Sequence, residues 1–105
     1  MSTAELQPII SSFASDPDML ELVEIFVSEV PDKVDRIRNC ESSQNWDELK
    51  RAAHQLKGSA GGYGFDALTP VADQLERSLQ GEPDPVRVSR LTEILVSQLL
   101  LLRSH

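Results

Sequence analysis

The sequence WDELKRAAHQLKGSAGGY, residues 46–63, carries the clearest helical pattern in the chain and decides the fold. Its apolar residues recur every three or four positions, a spacing that places side chains on one face of an α-helix. That face consists of Trp46, Leu49, Ala53, Leu56, Ala60 and Tyr63. At about 100° per residue, His54 lies about 130° from the centre of this face. We therefore predict an amphipathic helix over residues 46–63 that carries His54 on its exposed side.

The rest of the chain shows the same helical spacing, and alternation with a period of two is nowhere sustained. Asp16 followed by Pro17, and Asp84 near the start of the last helix, are typical of a helix N-cap before a proline at the first position. Pro31 interrupts the helix that follows Asp16, but the apolar pattern keeps its phase on both sides, so we expect one kinked helix. The predicted helices are a short N-terminal one at about 3–14, with Ser2 and Glu5 as a capping box, and longer ones at about 17–40, 46–63, 66–80 and 85–103.

These segments predict an all-α fold. Four amphipathic helices with short connections form an up-down antiparallel four-helix bundle, here with an additional short N-terminal helix. A length of 105 residues is that of one domain, so we expect residues 1–105 to form a single unit.

Composition restricts the classes of function. A net charge of -7 repels the phosphate backbone of nucleic acids and favours a protein partner. No apolar run is long enough to span a membrane, and the N-terminus lacks the pattern of a secretion signal, so we expect a cytoplasmic protein and no membrane association. Cys40 is the single cysteine and can form no internal disulfide, which agrees with a reducing compartment. We also expect a monomer.

His54 is distinguished by its neighbours on the helix surface, which lie three, four and seven positions away. These neighbours are Lys50, Arg51, Lys57, Gly58 and Gly61. In a chain with 17 acidic and 10 basic residues, three cations around one histidine reverse the local charge and favour an anionic group. Glycine within a helix costs about 1 kcal/mol relative to alanine. Because Gly58 and Gly61 lie on the face of His54, we interpret them as leaving the imidazole open to a bulky partner.

An exposed imidazole in this setting can attack phosphorus, because histidine has an ordinary pKa of about 6.5 and is largely neutral near neutral pH. Lys57 would stabilise the phosphoryl oxygens electrostatically, with Lys50 and Arg51 as weaker candidates. The glycine-rich residues 58–62 lack the lysine of a phosphate-binding loop and lie within a helix, so ATP is not the expected donor. No Cys, His or carboxylate lies three or four positions after His54, so we predict no metal site.

The run from His54 to Gly64, HQLKGSAGGYG, resembles the H-x-L-K-G-[SA]-[AS]-x-x-x-G signature of histidine-containing phosphotransfer (HPt) domains. The resemblance implies that His54 is the phosphoacceptor, that Lys57 is the phosphoryl-binding lysine and that Gly58 exposes the ring. Gly64 would form the turn into the next helix. The similarity extends more loosely over nearly the whole chain, and it implies the four-helix bundle of the family.

The same resemblance implies a phosphorelay intermediate rather than an enzyme. His54 would accept a phosphoryl group from a receiver-domain aspartate, or from a kinase, and transfer it to another receiver aspartate. The implied partners are response-regulator receiver domains and a sensor histidine kinase. The domain itself would bind no cofactor, and Mg²⁺ would be held by the partner receiver. Relatives place a hydrogen-bonding residue against the histidine, and this chain offers Glu76 or Gln80 for that role; a solvated Glu76 with no such role is the alternative.

Two other interpretations stay open from the sequence. The chain could be the phosphoacceptor module of a chemotaxis-type kinase or the HPt module of a hybrid sensor kinase. A module that docks a receiver without being phosphorylated is the other, and the presence of His54 disfavours it.

Overall fold

The structure is a computed structural model that describes residues 7–105. Within that range the protein is mostly helical, with five α-helices and two short strands. In chain order the elements are β1 (Ile9–Ile10), α1 (Pro17–Ser28), α2 (Val30–Ser42), α3 (Trp46–Gly62), α4 (Leu68–Ser78), α5 (Pro85–Leu99) and β2 (Leu102–Arg103). The fold is therefore all-α apart from one short strand pair.

The helices enclose one apolar core. Helix α3 packs against α4, α4 against α5, α5 against α2, and α2 against α3, which closes a ring of four helices. Leu49, Leu75 and Leu95, from α3, α4 and α5, are completely buried in it. Burial of each such side chain contributes about 2 kcal/mol to folding. The antiparallel direction of neighbouring helices stays a prediction from the short connections. No helix in the described part of the chain is both long and apolar enough to cross a membrane.

Side chains cap the starts of the helices. The Asp16 carboxylate accepts a hydrogen bond from the backbone N–H of Asp18 at 3.0 Å, immediately before Pro17. Asp84 caps α5 in the same way, accepting from the N–H of Val86 at 3.0 Å. These contacts satisfy backbone donors that the first helical turn leaves free. Both aspartates were predicted as N-caps from the proline that follows each of them, and that prediction is confirmed.

The expected single kinked helix over 17–40 is divided into α1 and α2, and Glu29 lies between them in a turn. Pro31 has no N–H to donate, and its ring conflicts with the carbonyl four residues earlier, so the helix stops just before it. The apolar stripe still continues across the break, because Phe26 and Val30 are both buried. The prediction of one helix was therefore wrong, although the phase of its buried face was correct.

The predicted N-terminal helix at 3–14 is also wrong over residues 7–14, the part of it that the structure describes. Residues 7–14 contain β1 and a turn, while residues 3–6 and the Ser2–Glu5 capping box lie outside the described range. Strand β1 pairs in parallel with β2, and the N–H of Ile9 donates to the carbonyl of Leu101 at 2.8 Å. The last helix consequently ends at Leu99 instead of 103. Helix α4 runs over Leu68–Ser78, within the predicted 66–80.

The N-terminal segment fixes the end of α3. The Ser11 hydroxyl donates to the Tyr63 carbonyl at 2.7 Å, and the Ser12 N–H donates to the Gly64 carbonyl at 2.9 Å. Gly64 has a φ of 83°, in the left-handed region that favours glycine. A Cβ there would lie 2.8 Å from the backbone nitrogen of Ser12. The turn after α3 therefore requires glycine, and the contact holds the C-terminal end of the helix that carries His54.

Candidate functional site

His54 lies in the third turn of α3 and faces away from the core. Its side chain is 66% exposed, as the helical projection predicts. Rotation of the ring would break a hydrogen bond, because Nδ1 lies 2.9 Å from Oε2 of Glu76 on α4. The Glu76 side chain is only 14% exposed. An exposed imidazole is thus anchored at one nitrogen by a largely buried carboxylate.

Glu76 also binds Lys57 through its second oxygen. Lys57 Nζ lies 2.6 Å from Glu76 Oε1 and 3.3 Å from Asp73 Oδ1. Because the Lys57 ammonium favours the charged carboxylate, it holds the pKa of Glu76 below its ordinary value. The same contact, together with Asp73, raises the pKa of Lys57. Asp73 is bound in turn by Arg77, at 3.0 Å. The charges on the α4 side of His54 are therefore paired with each other.

The contact with Glu76 determines which ring nitrogen keeps its lone pair. A carboxylate accepts hydrogen bonds, so Nδ1 carries the proton and Nε2 keeps its lone pair. The two ring nitrogens point in widely different directions, so Nε2 is directed away from Glu76. This arrangement fixes one ring nitrogen as a donor and leaves the other open, which is what a nucleophilic imidazole requires.

A second group of charges lies on the opposite side of His54. Arg51 pairs with Oε1 of Glu48, one turn earlier on α3. The other oxygen of Glu48 lies 3.3 Å from Arg36 Nη2 on α2. His54, Glu76 and Arg51 share an open concavity with Lys50 and Asp47. Lys50 has no carboxylate within ion-pair distance among residues 7–105.

The two glycines near His54 have different surroundings. A Cβ built on Gly58 would meet nothing within 4 Å, and the residue is exposed. A Cβ on Gly61 would lie 3.2 Å from Oδ1 of Asp66, in the turn before α4. Gly58 therefore leaves open space one turn after His54, whereas Gly61 also makes room for the α3–α4 turn.

The matching family model is that of the Hpt domain, and it covers residues 21–102. The chain belongs to the Hpt domain family. Comparisons with curated proteins and with solved structures returned no significant match. Hpt domains are phosphotransfer modules of two-component phosphorelays, and the coverage includes all five helices except the first four residues of α1.

Gln80 makes no hydrogen bond to the histidine of this Hpt domain. It follows the end of α4 in an exposed bend, and its backbone N–H bonds to the carbonyl of Arg77 at 3.2 Å. Of the two residues predicted to contact the ring, the structure brings Glu76 to it. Among residues 7–105, no group of three or more His, Cys, Asp or Glu side chains is arranged to hold a metal ion.

The structure adds two carboxylates that the sequence analysis missed. Asp73 binds Lys57, and Glu48 binds Arg51. Spacing provided a signal for each of them. Asp73 precedes Glu76 by three positions and Glu48 precedes Arg51 by three, so each pair shares a helix face.

Proposed function

We propose that this Hpt domain carries a phosphoryl group on Nε2 of His54 in a phosphorelay. It takes the group from the aspartate of a receiver domain, or from a kinase, and passes it to the aspartate of another receiver. Membership of the Hpt family supports the phosphotransfer role. The observation that supports the residue and the atom is the 2.9 Å contact between His54 Nδ1 and Glu76 Oε2, on a ring that is otherwise exposed.

The transfer step requires no acid or base from the Hpt domain. The lone pair of Nε2 attacks phosphorus, the new N–P bond forms, and the P–O bond to the aspartyl group breaks. The aspartate leaves as a carboxylate with the electron pair. The imidazole, which keeps its Nδ1 proton, becomes positively charged. Glu76 accepts the hydrogen bond from that proton and stabilises the charge that develops on the ring.

Lys57 supports this step through Glu76. Its ammonium keeps the carboxylate ionised, and an ionised Glu76 can only accept from Nδ1. Lys57 is thus a positioning residue in this proposal. The return step runs in reverse, with a receiver carboxylate attacking phosphorus and Nε2 as the leaving group. We propose that the receiver supplies the Mg²⁺ that would stabilise the negative charge of the transferring phosphoryl group. The Hpt domain then acts as a phosphocarrier.

The test is transfer of radioactive phosphate from a phosphorylated receiver. We expect the protein to acquire a label that is lost in acid and kept in base, which is the behaviour of a phosphoramidate bond. His54→Gln should stay unlabelled. His105→Gln is the matched control, because it removes the other of the two histidines and should be labelled like wild type. Equal labelling of His54→Gln would refute the residue assignment, and an unlabelled wild type with several receivers would refute the function.

A further inference from the structure

The charges around His54 differ between its two sides. Positions three before and three after a helical residue lie about 60° to either side of it, so Arg51 and Lys57 flank His54. Lys57 is on the side of α4, where it contacts Asp73 and Glu76. Arg51 is on the side of α2, because its partner Glu48 also binds Arg36. One flank thus faces α4 and the other faces α2.

The proposed reactive nitrogen, Nε2, points away from α4. Nδ1 is held by Glu76 of α4, so Nε2 and any group attached to it are directed away from α4. The Lys57 ammonium lies 2.6 Å from the same carboxylate and is therefore on the Nδ1 side of the ring. Side chains of a helix also lean towards its N-terminus, which carries the imidazole over the turn that contains Arg51.

On the α2 side, Arg51 shares its carboxylate partner with a second arginine. Glu48 is one carboxylate shared by two guanidinium groups, Arg36 and Arg51. If Arg51 turns towards another anion, Glu48 keeps its contact with Arg36 at 3.3 Å. Arg51 is 62% exposed and lines the same concavity as His54. A guanidinium can bind two phosphoryl oxygens at once, which an ammonium does less well.

We propose that Arg51 binds the phosphoryl group once it is attached to Nε2 of His54. Glu48 holds the guanidinium next to the site in the unphosphorylated protein and stays paired with Arg36 when Arg51 moves to the phosphoryl oxygens. This inference rests on the proposed function and assigns a phosphoryl contact to the residue three positions before the histidine.

The test measures the second ionisation of the phosphoryl group by ³¹P NMR. The full chain is phosphorylated with phosphoramidate, in which Nε2 attacks phosphorus, the P–N bond of the reagent breaks, and the nitrogen leaves as ammonia after taking up a proton. A nearby cation favours the dianion and lowers the phosphoryl pKa. For an exposed charge pair we expect Arg51→Gln to raise that pKa by about half a pH unit, and added salt to reduce the difference.

Two other variants complete the design. Arg51→Lys keeps the positive charge, so the phosphoryl pKa should stay close to that of wild type. Arg38→Gln is the matched control, because Arg38 is also an exposed arginine paired with a glutamate, Glu93, but lies away from the site. A shift in Arg51→Gln no larger than in Arg38→Gln would overturn the assignment to Arg51 and leave the proposed function intact. Absence of a phosphohistidine signal in wild type would overturn both.

Discussion

Replacement of Gly58 should raise stability and lower transfer at the same time. A Cβ at this position meets nothing within 4 Å, so alanine fits without any movement of its neighbours. Glycine in the interior of a helix is less stable than alanine by about 1 kcal/mol, because it loses more backbone freedom on folding. Gly58→Ala should therefore increase the free energy of unfolding by about 1 kcal/mol and raise Tm by about 4–8 °C. Thermal unfolding followed by circular dichroism measures this.

The functional effect should depend on the size of the side chain and of the donor. Gly58 lies one turn after His54 on the same face, so a leucine there occupies the space through which a receiver approaches. A displacement of the reacting groups by about 1 Å costs about 100-fold in rate, and we expect that loss for transfer from a receiver to Gly58→Leu. Phosphoramidate is small, and its reaction with the same variant should stay within about twofold of wild type.

The comparison between the two donors decides whether the argument is correct. If Gly58→Leu accepts phosphate from a receiver at the wild-type rate, the open space at Gly58 has no role in access. If both donors react more slowly to the same extent, the substitution alters the imidazole itself and the steric explanation fails. If Gly58→Ala is less stable than wild type, the conclusion that a Cβ fits at this position without a clash is wrong.

Two further substitutions test the surroundings of His54. Glu76→Gln should slow transfer about tenfold, since the amide removes the charge that stabilises the ring; the Arg38→Gln variant should transfer normally, and an unchanged Glu76→Gln rate would refute the role of Glu76. Because Lys57 lowers the pKa of Glu76, the carboxylate stabilises the fold above its ordinary pKa of about 4.5 and loses this effect as pH falls through the lowered folded value. The stability difference between wild type and Glu76→Gln should therefore shrink in urea titrations below about pH 4.5, and a difference that grows there would contradict the ion pair. Gly64→Ala should cost about 2 kcal/mol or more in the same titrations, because its φ of 83° and the 2.8 Å approach to Ser12 exclude a Cβ; wild-type stability would refute that constraint.

Local sequence signals were sufficient for the starts of α1, α3 and α5 and for the exposure of His54. The positions of Asp16 and Asp84 before prolines marked helix starts, and the apolar spacing of residues 46–63 placed the histidine on the outer face. Each of these features depends on residues a few positions apart, so the sequence contains the relevant information.

The errors concern interactions between distant parts of the chain. The apolar residues Ile9, Ile10 and Phe13 have helical spacing, but the backbone of this segment bonds to residues 101–103 at the other end of the chain. No local pattern reports that pairing. Pro31 was predicted to bend the helix, and the helix ends before it. Whether a proline bends or ends a helix depends on how neighbouring groups satisfy the backbone carbonyl that the proline leaves without a donor.

In the site, too, only the features that depend on neighbouring residues in the sequence were predictable. His54, Lys57 and Gly58 lie on one short stretch and were identified together. The contact of Glu76 with both His54 and Lys57 depends on the packing of α4 against α3, so the sequence alone left Glu76 and Gln80 as alternatives. The division of these charges between the α4 and α2 sides of the ring depends on how the helices pack, which no local pattern contains.

The central claim is that Nε2 of His54 carries the phosphoryl group. Protein labelled with ¹⁵N-histidine, phosphorylated by a receiver, tests it most directly through the phosphorus–nitrogen coupling in NMR spectra. We predict coupling to Nε2 of His54, while Nδ1 keeps its proton and its hydrogen bond to Glu76. Phosphorus coupled to Nδ1 of His54, or to His105, would contradict the account.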